Sequence, residues 1–135
     1  MIIMYDEQIF FEKRKSVLIA ETDKKVAAQL KEHLCKMDYE IYPVISSGEK
    51  LIEQAILLNP SLIVTNTNLN GQLDGIEAIS RLEEMTAINY IFITANDDYN
   101  RLISSYYLHP IDIIKTPINF NDFYECISGI NLEKV

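Results

Sequence analysis

The chain has 135 residues, of which 48% are hydrophobic, and these figures predict one domain with a continuous buried core. Its 20 acidic and 12 basic residues give a formal net charge of -8, which argues against direct binding to a nucleic-acid backbone. No apolar run approaches the roughly 20 residues of a membrane span. Asp6 and Glu7 stand where a signal peptide would be apolar. We therefore expect a cytoplasmic protein that contacts neither nucleic acid nor membrane.

The first 15 residues differ from the rest of the chain in composition. Apolar side chains are concentrated at Ile2, Ile3, Met4, Tyr5, Ile9, Phe10 and Phe11. A basic stretch, residues 13–15, follows them. Three roles remain open for this N-terminal arm, residues 1–15. It is an additional element docked on its own domain, a dimer contact, or the end of a connection to a preceding segment.

Four short runs of apolar, mostly β-branched residues follow, at residues 17–20, 62–65, 90–94 and 111–114. They are too short for helices and predict strands that are buried on both faces. A weaker run at residues 40–45 contains Pro43, which a central strand would not tolerate because proline has no N–H to donate. This run is predicted to be an edge strand.

Helical patterns separate the strands, and the clearest spans residues 23–36. Further helix starts are marked by a capping residue with an acidic residue three positions later, at Ser46 and Glu49, Asp74 and Glu77, and Asn119 and Asp122. Asn59 and Pro60 end the second helix. Five β–α units in succession require parallel strands with right-handed crossovers. We predict an α/β, doubly wound sheet over residues 16–131, followed by a tail at 132–135.

Polar residues stand where a doubly wound sheet binds its ligands, beyond the carboxyl ends of its strands. These residues are Glu21, Thr22 and Asp23 after the first strand, Asn66 after the third, Thr94 after the fourth, and Lys115, Thr116 and Pro117 at the fifth. The arrangement resembles the response regulator receiver domain family of two-component signalling. That family has an acidic pair, a phosphoacceptor Asp, a Ser or Thr, and Lys-Pro at these places. The resemblance implies a flavodoxin-like (β/α)5 fold with five parallel strands in the order 2-1-3-4-5.

The resemblance also implies phosphoryl transfer to a carboxylate, assisted by Mg²⁺. At the acceptor position, however, the chain has Asn66, and a neutral amide is not the nucleophile that an acyl phosphate requires. Thr22 replaces the second acid, so that only Glu21 and Asp23 remain as weak candidates for a metal ligand. We expect no tight magnesium binding and no other cofactor.

The fifth strand departs from the family pattern as well. Thr116 occupies the position of the phosphate-pairing Lys, and Lys115 lies one residue earlier. Because side chains alternate faces along a strand, Lys115 is expected to point elsewhere. Ile113 replaces the aromatic partner of the hydroxyl on the fourth strand, whereas Thr94 matches the family.

The sequence therefore predicts a signal-transduction module, a pseudo-receiver that is not an enzyme and acts through protein contacts. A histidine kinase or a regulated output protein is the expected partner. Two alternatives stay open. One is a conventional phosphorelay receiver that uses another acid, Asp74, Asp97 or Asp98. The other is a small-ligand-binding flavodoxin-like module, although no glycine-rich phosphate loop follows the first strand.

Aromatic residues on the fourth and fifth helices predict a surface for pairing. Tyr106, Tyr107 and Tyr124 are the interface candidates for a homodimer, whereas Phe120 and Phe123 are expected in the core. Cys35 and Cys126 have no metal-type spacing and are expected to be reduced, partly buried thiols.

Overall fold

Strands and helices alternate along the chain after an N-terminal hairpin. The computed structural model describes residues 2–5, 8–11, 14–95, 98, 100, 102 and 108–130, with backbone only for 2–5 and 8–11. The strands are β1 (Ile2–Tyr5), β2 (Gln8–Phe11), β3 (Ser16–Ala20), β4 (Glu40–Ile41), β5 (Leu62–Asn66), β6 (Tyr90–Thr94) and β7 (Asp112–Lys115). The helices are α1 (Lys24–Lys36), α2 (Gly48–Leu58), α3 (Gly75–Met85) and α4 (Phe120–Ser128).

Five of the strands form a parallel sheet in the order β4-β3-β5-β6-β7. Counted among themselves, these strands have the order 2-1-3-4-5, and the predicted doubly wound fold is confirmed. The proline-containing run supplies only the two residues of β4, which lies at one edge of the sheet as predicted. The carboxyl ends of β3, β5 and β6 therefore lie side by side.

The prediction that the last strand is buried on both faces is wrong. β7 lies at the opposite edge of the sheet and has β6 as its only strand neighbour among the described residues. Asp112 and Lys115 are exposed at its two ends, and Ile111 just before it is 41% exposed. An edge strand has a neighbouring strand on one side only, so its residues are covered less than those of a central strand.

Two hydrophobic clusters cover the two faces of the sheet. Leu18 and Ala20 point into the cluster that contains side chains of α2 and α3, and Val17 and Ile19 point into the cluster of α1 and α4. This alternation is the two-residue period of a strand that is buried on both sides. Phe123 is fully buried, as predicted, and Phe120 is partly buried against the second cluster.

Most helix starts follow the sequence signals. Asp23 caps α1 by accepting hydrogen bonds from the backbone N–H groups of Lys25 (2.9 Å) and Val26 (3.2 Å). Asp74 and Glu77 form the predicted capping box of α3. The side chain of Asn119 caps α4.

The predicted cap of α2 is wrong by one residue. Ser47, not Ser46, is the N-cap, and its hydroxyl accepts a hydrogen bond from the N–H of Lys50 (3.1 Å). Glu49 does not close a capping box. Its Oε1 accepts hydrogen bonds from the N–H groups of Gln72 and Leu73, both at 2.8 Å, and so fixes the loop after β5.

Two serines join β3 to the segment before β5 at the amino end of the sheet. The N–H of Ser16 donates to Ser61 Oγ, and the N–H of Ser61 donates to Ser16 Oγ, both at 3.1 Å. Both residues are buried, and their hydroxyls are 3.5 Å apart. The pair fixes how the first and third strands of the sheet begin relative to each other.

The N-terminal arm contains an antiparallel hairpin in which β1 pairs with β2. Its register sets Ile2 opposite Phe11, Ile3 opposite Phe10, Met4 opposite Ile9 and Tyr5 opposite Gln8. Residues 131–135, which include the predicted C-terminal tail, lie outside the described residues. Within the described part of the chain, no helix has the length and apolar character needed to cross a membrane.

Candidate functional site

Glu21 lies directly after β3 and is buried at the carboxyl end of the sheet. Its Oε2 accepts hydrogen bonds from the backbone N–H groups of Thr22 (2.8 Å) and Asp23 (3.1 Å). The amide nitrogen of Asn66, Nδ2, donates to Oε1 (2.9 Å) and lies 3.2 Å from Oε2. Both carboxylate oxygens of Glu21 are therefore engaged by N–H donors of the chain itself.

Asn66 ends β5, the central strand of the sheet, and is half-buried. Its Oδ1 accepts a hydrogen bond from the N–H of Asn68 (2.9 Å), while its Nδ2 faces Glu21. The start of α3 packs against the same residue, because a Cβ added to Gly75 would lie 2.0 Å from the carbonyl oxygen of Asn66. The backbone around Asn66 thus leaves no room for a side chain at Gly75.

Thr94 is buried at the end of β6, and its hydroxyl belongs to a chain of hydrogen bonds. Its Oγ1 lies 3.2 Å from Thr67 Oγ1 and 3.1 Å from the carbonyl oxygen of Ala95, and its single proton is donated to one of these two acceptors. Thr67 Oγ1 donates to Asp98 Oδ2 (3.1 Å), which also accepts a hydrogen bond from the side-chain amide of Asn68. A carboxylate from the segment after β6 thereby holds the two residues that follow Asn66.

Lys115 and Thr116 lie at the end of β7. In the sheet register Lys115 is opposite Thr94, and the N–H of Thr116 donates to the carbonyl oxygen of Thr94 (2.9 Å). Lys115 is exposed and lines a groove of about 410 Å³, whose other polar residues are Asp112, Asn119 and Asp122. The structure brings Glu21, Thr22, Asp23 and Asn66 together, and it places Lys115 in this groove beside α4.

Comparisons with known proteins agree with the observed fold. The response regulator receiver domain model matches residues 17–128. The chain belongs to the response regulator receiver domain family. A search of curated proteins gives no match.

Solved structures show the same receiver fold. The signal receiver domain of a modulated diguanylate cyclase from Desulfovibrio desulfuricans G20 is 27% identical, with a TM-score of 0.76, covering 86% of this chain and 92% of that one. A putative response regulator from Chloroflexus aurantiacus J-10-fl is 22% identical, with a TM-score of 0.76 and coverage of 86% and 96%. The signal receiver domain of a putative LuxO repressor protein from Vibrio parahaemolyticus is 19% identical, with a TM-score of 0.75 and coverage of 86% and 88%.

Magnesium, the metal expected for a receiver domain, does not fit the donors around Glu21. Mg²⁺ prefers oxygen ligands in near-octahedral geometry. Here an NH₂ group, Asn66 Nδ2, points at the Glu21 carboxylate, and Asn66 Oδ1 is turned toward the N–H of Asn68. Asp23 uses its Oδ1 to cap α1. Within the described ranges, no group of three His, Cys, Asp or Glu side chains could hold a metal ion.

Sequence reasoning missed three participants at this end of the receiver domain. Thr67 and Asn68 were not singled out, and Asp98 was considered only as an alternative phosphoacceptor. Their contacts join residues about 30 positions apart, for which the sequence carries no local signal. Asp97, another of the alternative acids, lies outside the described residues.

The two cysteines differ in their surroundings. Cys35 is exposed, which corrects the expectation that both thiols are partly buried. Cys126 is half-buried, and burial together with a hydrogen bond to Asp112 raises the pKa of its thiol to about 12. Since the thiolate is the reactive form, the raised pKa lowers the reactivity of Cys126 at neutral pH.

Of the three tyrosines predicted at an interface, the structure describes one. Tyr124 is 54% exposed on α4 and lines a groove of about 290 Å³ with Lys15 and the end of α1. Tyr106 and Tyr107 lie outside the described residues.

Proposed function

We propose that this receiver domain is a signalling module that is not phosphorylated at Asn66 and that acts through protein–protein contacts. The observation that carries the proposal is the hydrogen bond from Asn66 Nδ2 to the Glu21 carboxylate at 2.9 Å. Asn66 stands at the carboxyl end of the central strand, where the family has its phosphoacceptor Asp. An amide at this position supplies no carboxylate oxygen to attack a phosphoryl donor.

The same hydrogen bond also helps to satisfy the negative charge of Glu21. In a receiver domain with two clustered carboxylates, a cation or a proton is needed to offset their repulsion. The Asn66 amide and the N–H groups of Thr22 and Asp23 satisfy the single charge of Glu21 without either. The proposed module is therefore complete without magnesium and keeps one conformation at this end of the sheet.

The hydroxyl of Thr94, at the end of the neighbouring strand β6, also supports the proposal. Its neighbours are Thr67 Oγ1 and the carbonyl of Ala95, and Thr67 donates in turn to the charged Asp98. A hydroxyl in such a chain has partners without a phosphoryl oxygen. The carboxylate of Asp98 thus takes up hydrogen-bond donors at the carboxyl end of the sheet, those of Thr67 and Asn68.

Other acids are weaker candidates for the acceptor. Asp74 is engaged in the capping box of α3, and Asp98 accepts hydrogen bonds from Thr67 and Asn68. Phosphorylation of either carboxylate would sacrifice these bonds. A conventional relay through them is therefore disfavoured.

The partner is a protein, either a histidine kinase or a regulated output protein. The net charge of -8 disfavours nucleic acid. Tyr124, with half of its side chain exposed beside a groove, is the described candidate for an aromatic contact, because tyrosine is enriched at protein interfaces. Tyr106 and Tyr107 remain candidates from the sequence.

One observation favours the small-ligand alternative. A groove of about 520 Å³ borders the site, between α1 and the segment before α2, and its polar lining includes Glu21, Thr22, Lys24, Lys31, Ser46 and Asn70. This volume is sufficient for a small molecule. Native mass spectrometry of protein purified without denaturation tests the alternative, which requires a bound mass that unfolding releases.

Intact-mass spectrometry tests the main proposal. The unmodified chain is incubated at neutral pH with a small acyl-phosphate donor and Mg²⁺, and we expect no added phosphoryl group. Asn66→Asp alone should remain almost unreactive, because Thr22 and Thr116 still lack the acid and the cation that stabilise the developing charge. Adding Thr22→Asp and Thr116→Lys should restore uptake more than additively.

The result that would overturn the proposal is a phosphoryl group on the unmodified chain that hydroxylamine removes, as it removes an acyl phosphate. Asp74→Asn and Asp98→Asn variants would then identify the acceptor. The variant that combines Asn66→Asp, Thr22→Asp and Thr116→Lys is the control that the phosphoryl donor is active. Its secondary structure must match that of the unmodified chain.

A further inference from the structure

Three asparagines lie at the end of β5 and in the loop that follows it, and their side-chain amides have different surroundings. Both amide atoms of Asn66 are held, since Nδ2 donates to Glu21 and Oδ1 accepts from the N–H of Asn68. The side-chain amide of Asn68 donates in turn to Asp98. Asn70 is exposed, and within the described ranges its side-chain amide has no hydrogen-bond partner in the chain. Of the three side chains, that of Asn70 is therefore the one free to rotate.

The residue that follows each asparagine also differs. Asn70 is the only asparagine in the sequence that glycine follows. A backbone nitrogen attacks the side-chain carbonyl of the preceding asparagine most easily when its own residue has no Cβ to hinder the approach. A β-branched residue such as Thr67, which follows Asn66, is stiff and hinders the approach strongly. Exposure and sequence thus single out the same asparagine.

The fold requires the glycine at position 71. Gly71 has a φ of +91°, which favours glycine over residues with a side chain. A Cβ added there would lie 2.2 Å from Oε2 of Glu49. That carboxylate is held in place, because its Oε1 accepts hydrogen bonds from the N–H groups of Gln72 and Leu73. The reactive pair of Asn70 and Gly71 is therefore part of how this loop is built.

The backbone of Asn70 is held more firmly on its amino side than on its carboxyl side. Its N–H donates to the carbonyl oxygen of Ser46 at 2.8 Å. Its carbonyl oxygen lies 3.4 Å from the backbone nitrogen of Gly48, which is longer than the upper limit of about 3.2 Å for a typical N–H···O bond. Within the described part of the chain, the N–H of Gly71 has no hydrogen-bond partner. The bonds that must rotate for the attack are therefore the less restrained ones.

We propose that Asn70 is a site of spontaneous deamidation. The nitrogen of Gly71 forms a bond to Cγ of Asn70, the bond from Cγ to Nδ2 breaks, and ammonia leaves with the proton that the Gly71 nitrogen loses. Water then opens the cyclic imide. Cleavage between the Gly71 nitrogen and Cγ gives aspartate, and cleavage between that nitrogen and the backbone carbonyl carbon gives isoaspartate. Water is the only co-reactant, and no oxidation or reduction takes place.

The product changes the surface beside the receiver site. Asn70 lines the groove of about 520 Å³ together with Lys24 and Lys31, so either product adds a negative charge to that groove. Isoaspartate also lengthens the backbone by one methylene just before Gln72, whose N–H donates to Glu49. We expect this form to loosen the loop after β5. The modification is independent of the proposed protein-contact function.

Peptide mapping by mass spectrometry tests the proposal on the full chain, incubated folded at neutral pH and physiological temperature for several weeks. Replacement of the amide NH₂ by OH should appear at Asn70 at least about tenfold faster than at Asn66 or Asn68, as a modestly lower activation barrier would produce. Labelling with an isoaspartyl methyltransferase should detect isoaspartate in the same peptide. In the isoaspartate fraction, hydrogen exchange should show reduced protection of the amides of Gln72 and Leu73.

Two variants complete the experiment. Asn70→Gln keeps an amide but would need a larger ring for the attack, so it should abolish the product at this position. Asn121→Gln, an exposed asparagine on α4, is the matched control and should leave the rate at Asn70 unchanged.

Three results would overturn the proposal. The first is conversion of Asn70 in the urea-unfolded chain and not in the folded one, which would show that the folded loop prevents the attack. The second is conversion of Asn66 or Asn68 at a rate equal to or above that of Asn70. The third is an acquired negative charge, detected by anion exchange, that develops equally in Asn70→Gln.

Discussion

The two ends of the parallel sheet are closed in the same manner but with different chemistry. At each end a side chain at or next to the end of β3 pairs with one from the β5 segment 45 residues later, Ser16 with Ser61 and Glu21 with Asn66. The amino end uses neutral hydroxyls in a reciprocal arrangement. The carboxyl end uses a buried carboxylate that needs three N–H groups. Both ends therefore have a side-chain pair between β3 and the β5 segment. Only the pair at the carboxyl end is charged, and this is the end at which a receiver domain has its functional site.

The largest effect is expected where the carboxyl end is most crowded. Gly75→Ala would set a Cβ 2.0 Å from the carbonyl oxygen of Asn66, so the start of α3 or the end of β5 must move. We expect a loss of about 3 kcal/mol in the free energy of unfolding, measured by urea denaturation. Gly129→Ala is the matched control, since its nearest atoms would be 3.6 Å away, and it should change stability by about 0.5 kcal/mol or less. Equal losses for both variants would contradict the crowding at Asn66.

Double-mutant cycles at the two ends should give coupling energies of different size. The pair Glu21→Ala and Asn66→Ala removes a hydrogen bond to a charged group, for which about 2 kcal/mol is expected. The pair Ser16→Ala and Ser61→Ala removes neutral hydrogen bonds, for which about 1 kcal/mol is expected. Urea denaturation of the single and double variants supplies both values. A smaller coupling at Glu21 than at Ser16 would mean that the carboxyl end is not closed by its charged pair.

The smallest effect is expected from acid. Hydrogen bonds to the Glu49 carboxylate from its own N–H and those of Leu73 and Gln72 hold its pKa below its ordinary value. A lowered pKa contributes stability that is present at neutral pH and is lost as the pH falls through the folded-state pKa. The loop after β5 should therefore loosen as the pH falls below 4.5, the ordinary pKa of a glutamate, while the Ser16–Ser61 contact should not.

Hydrogen exchange measures this difference. The amides of Gln72 and Leu73 should lose protection, after correction for intrinsic rates, before those of Ser16 and Ser61. Glu49→Gln should reproduce the loosening at neutral pH, and Glu53→Gln, whose carboxylate contacts Lys50 on the surface of α2, should not. If the amides of residues 72–73 are protected equally in Glu49→Gln and in the unmodified chain, this role of the Glu49 carboxylate is excluded.

The fold was predictable because its signals are local and repeated. Buried β-branched runs, Pro43 just after the short edge strand and the capping pair of Asp74 and Glu77 each agree with the final architecture. The cap of α2 was not predictable in detail, because Ser46 and Ser47 both suit the role. With Ser47 as the N-cap, the Glu49 side chain accepts a hydrogen bond from the N–H of Gln72 in the loop after β5 and does not cap its own helix.

The candidate site was predictable in position and only partly in detail. Parallel strands bring their carboxyl ends together, so the proximity of Glu21 and Asn66 follows from the topology. The hydrogen bond between them depends on side-chain orientation, and the contact of Thr67 with Asp98 depends on where Asp98 lies in space. Neither the orientation nor this position has a signature in the order of residues.

The two edges of the sheet have a consequence for the behaviour of this receiver domain at high concentration. An exposed strand edge is a template for joining sheets from different molecules into fibrils. β4 offers only two residues before Pro43 removes a donor, and β7 carries the exposed charges Asp112 and Lys115 at its two ends. Neither edge is long, flat and uncharged enough to recruit a foreign strand. The five-stranded sheet is therefore protected from edge-to-edge pairing with other molecules in a crowded solution, and amyloid-like growth from its edges is disfavoured.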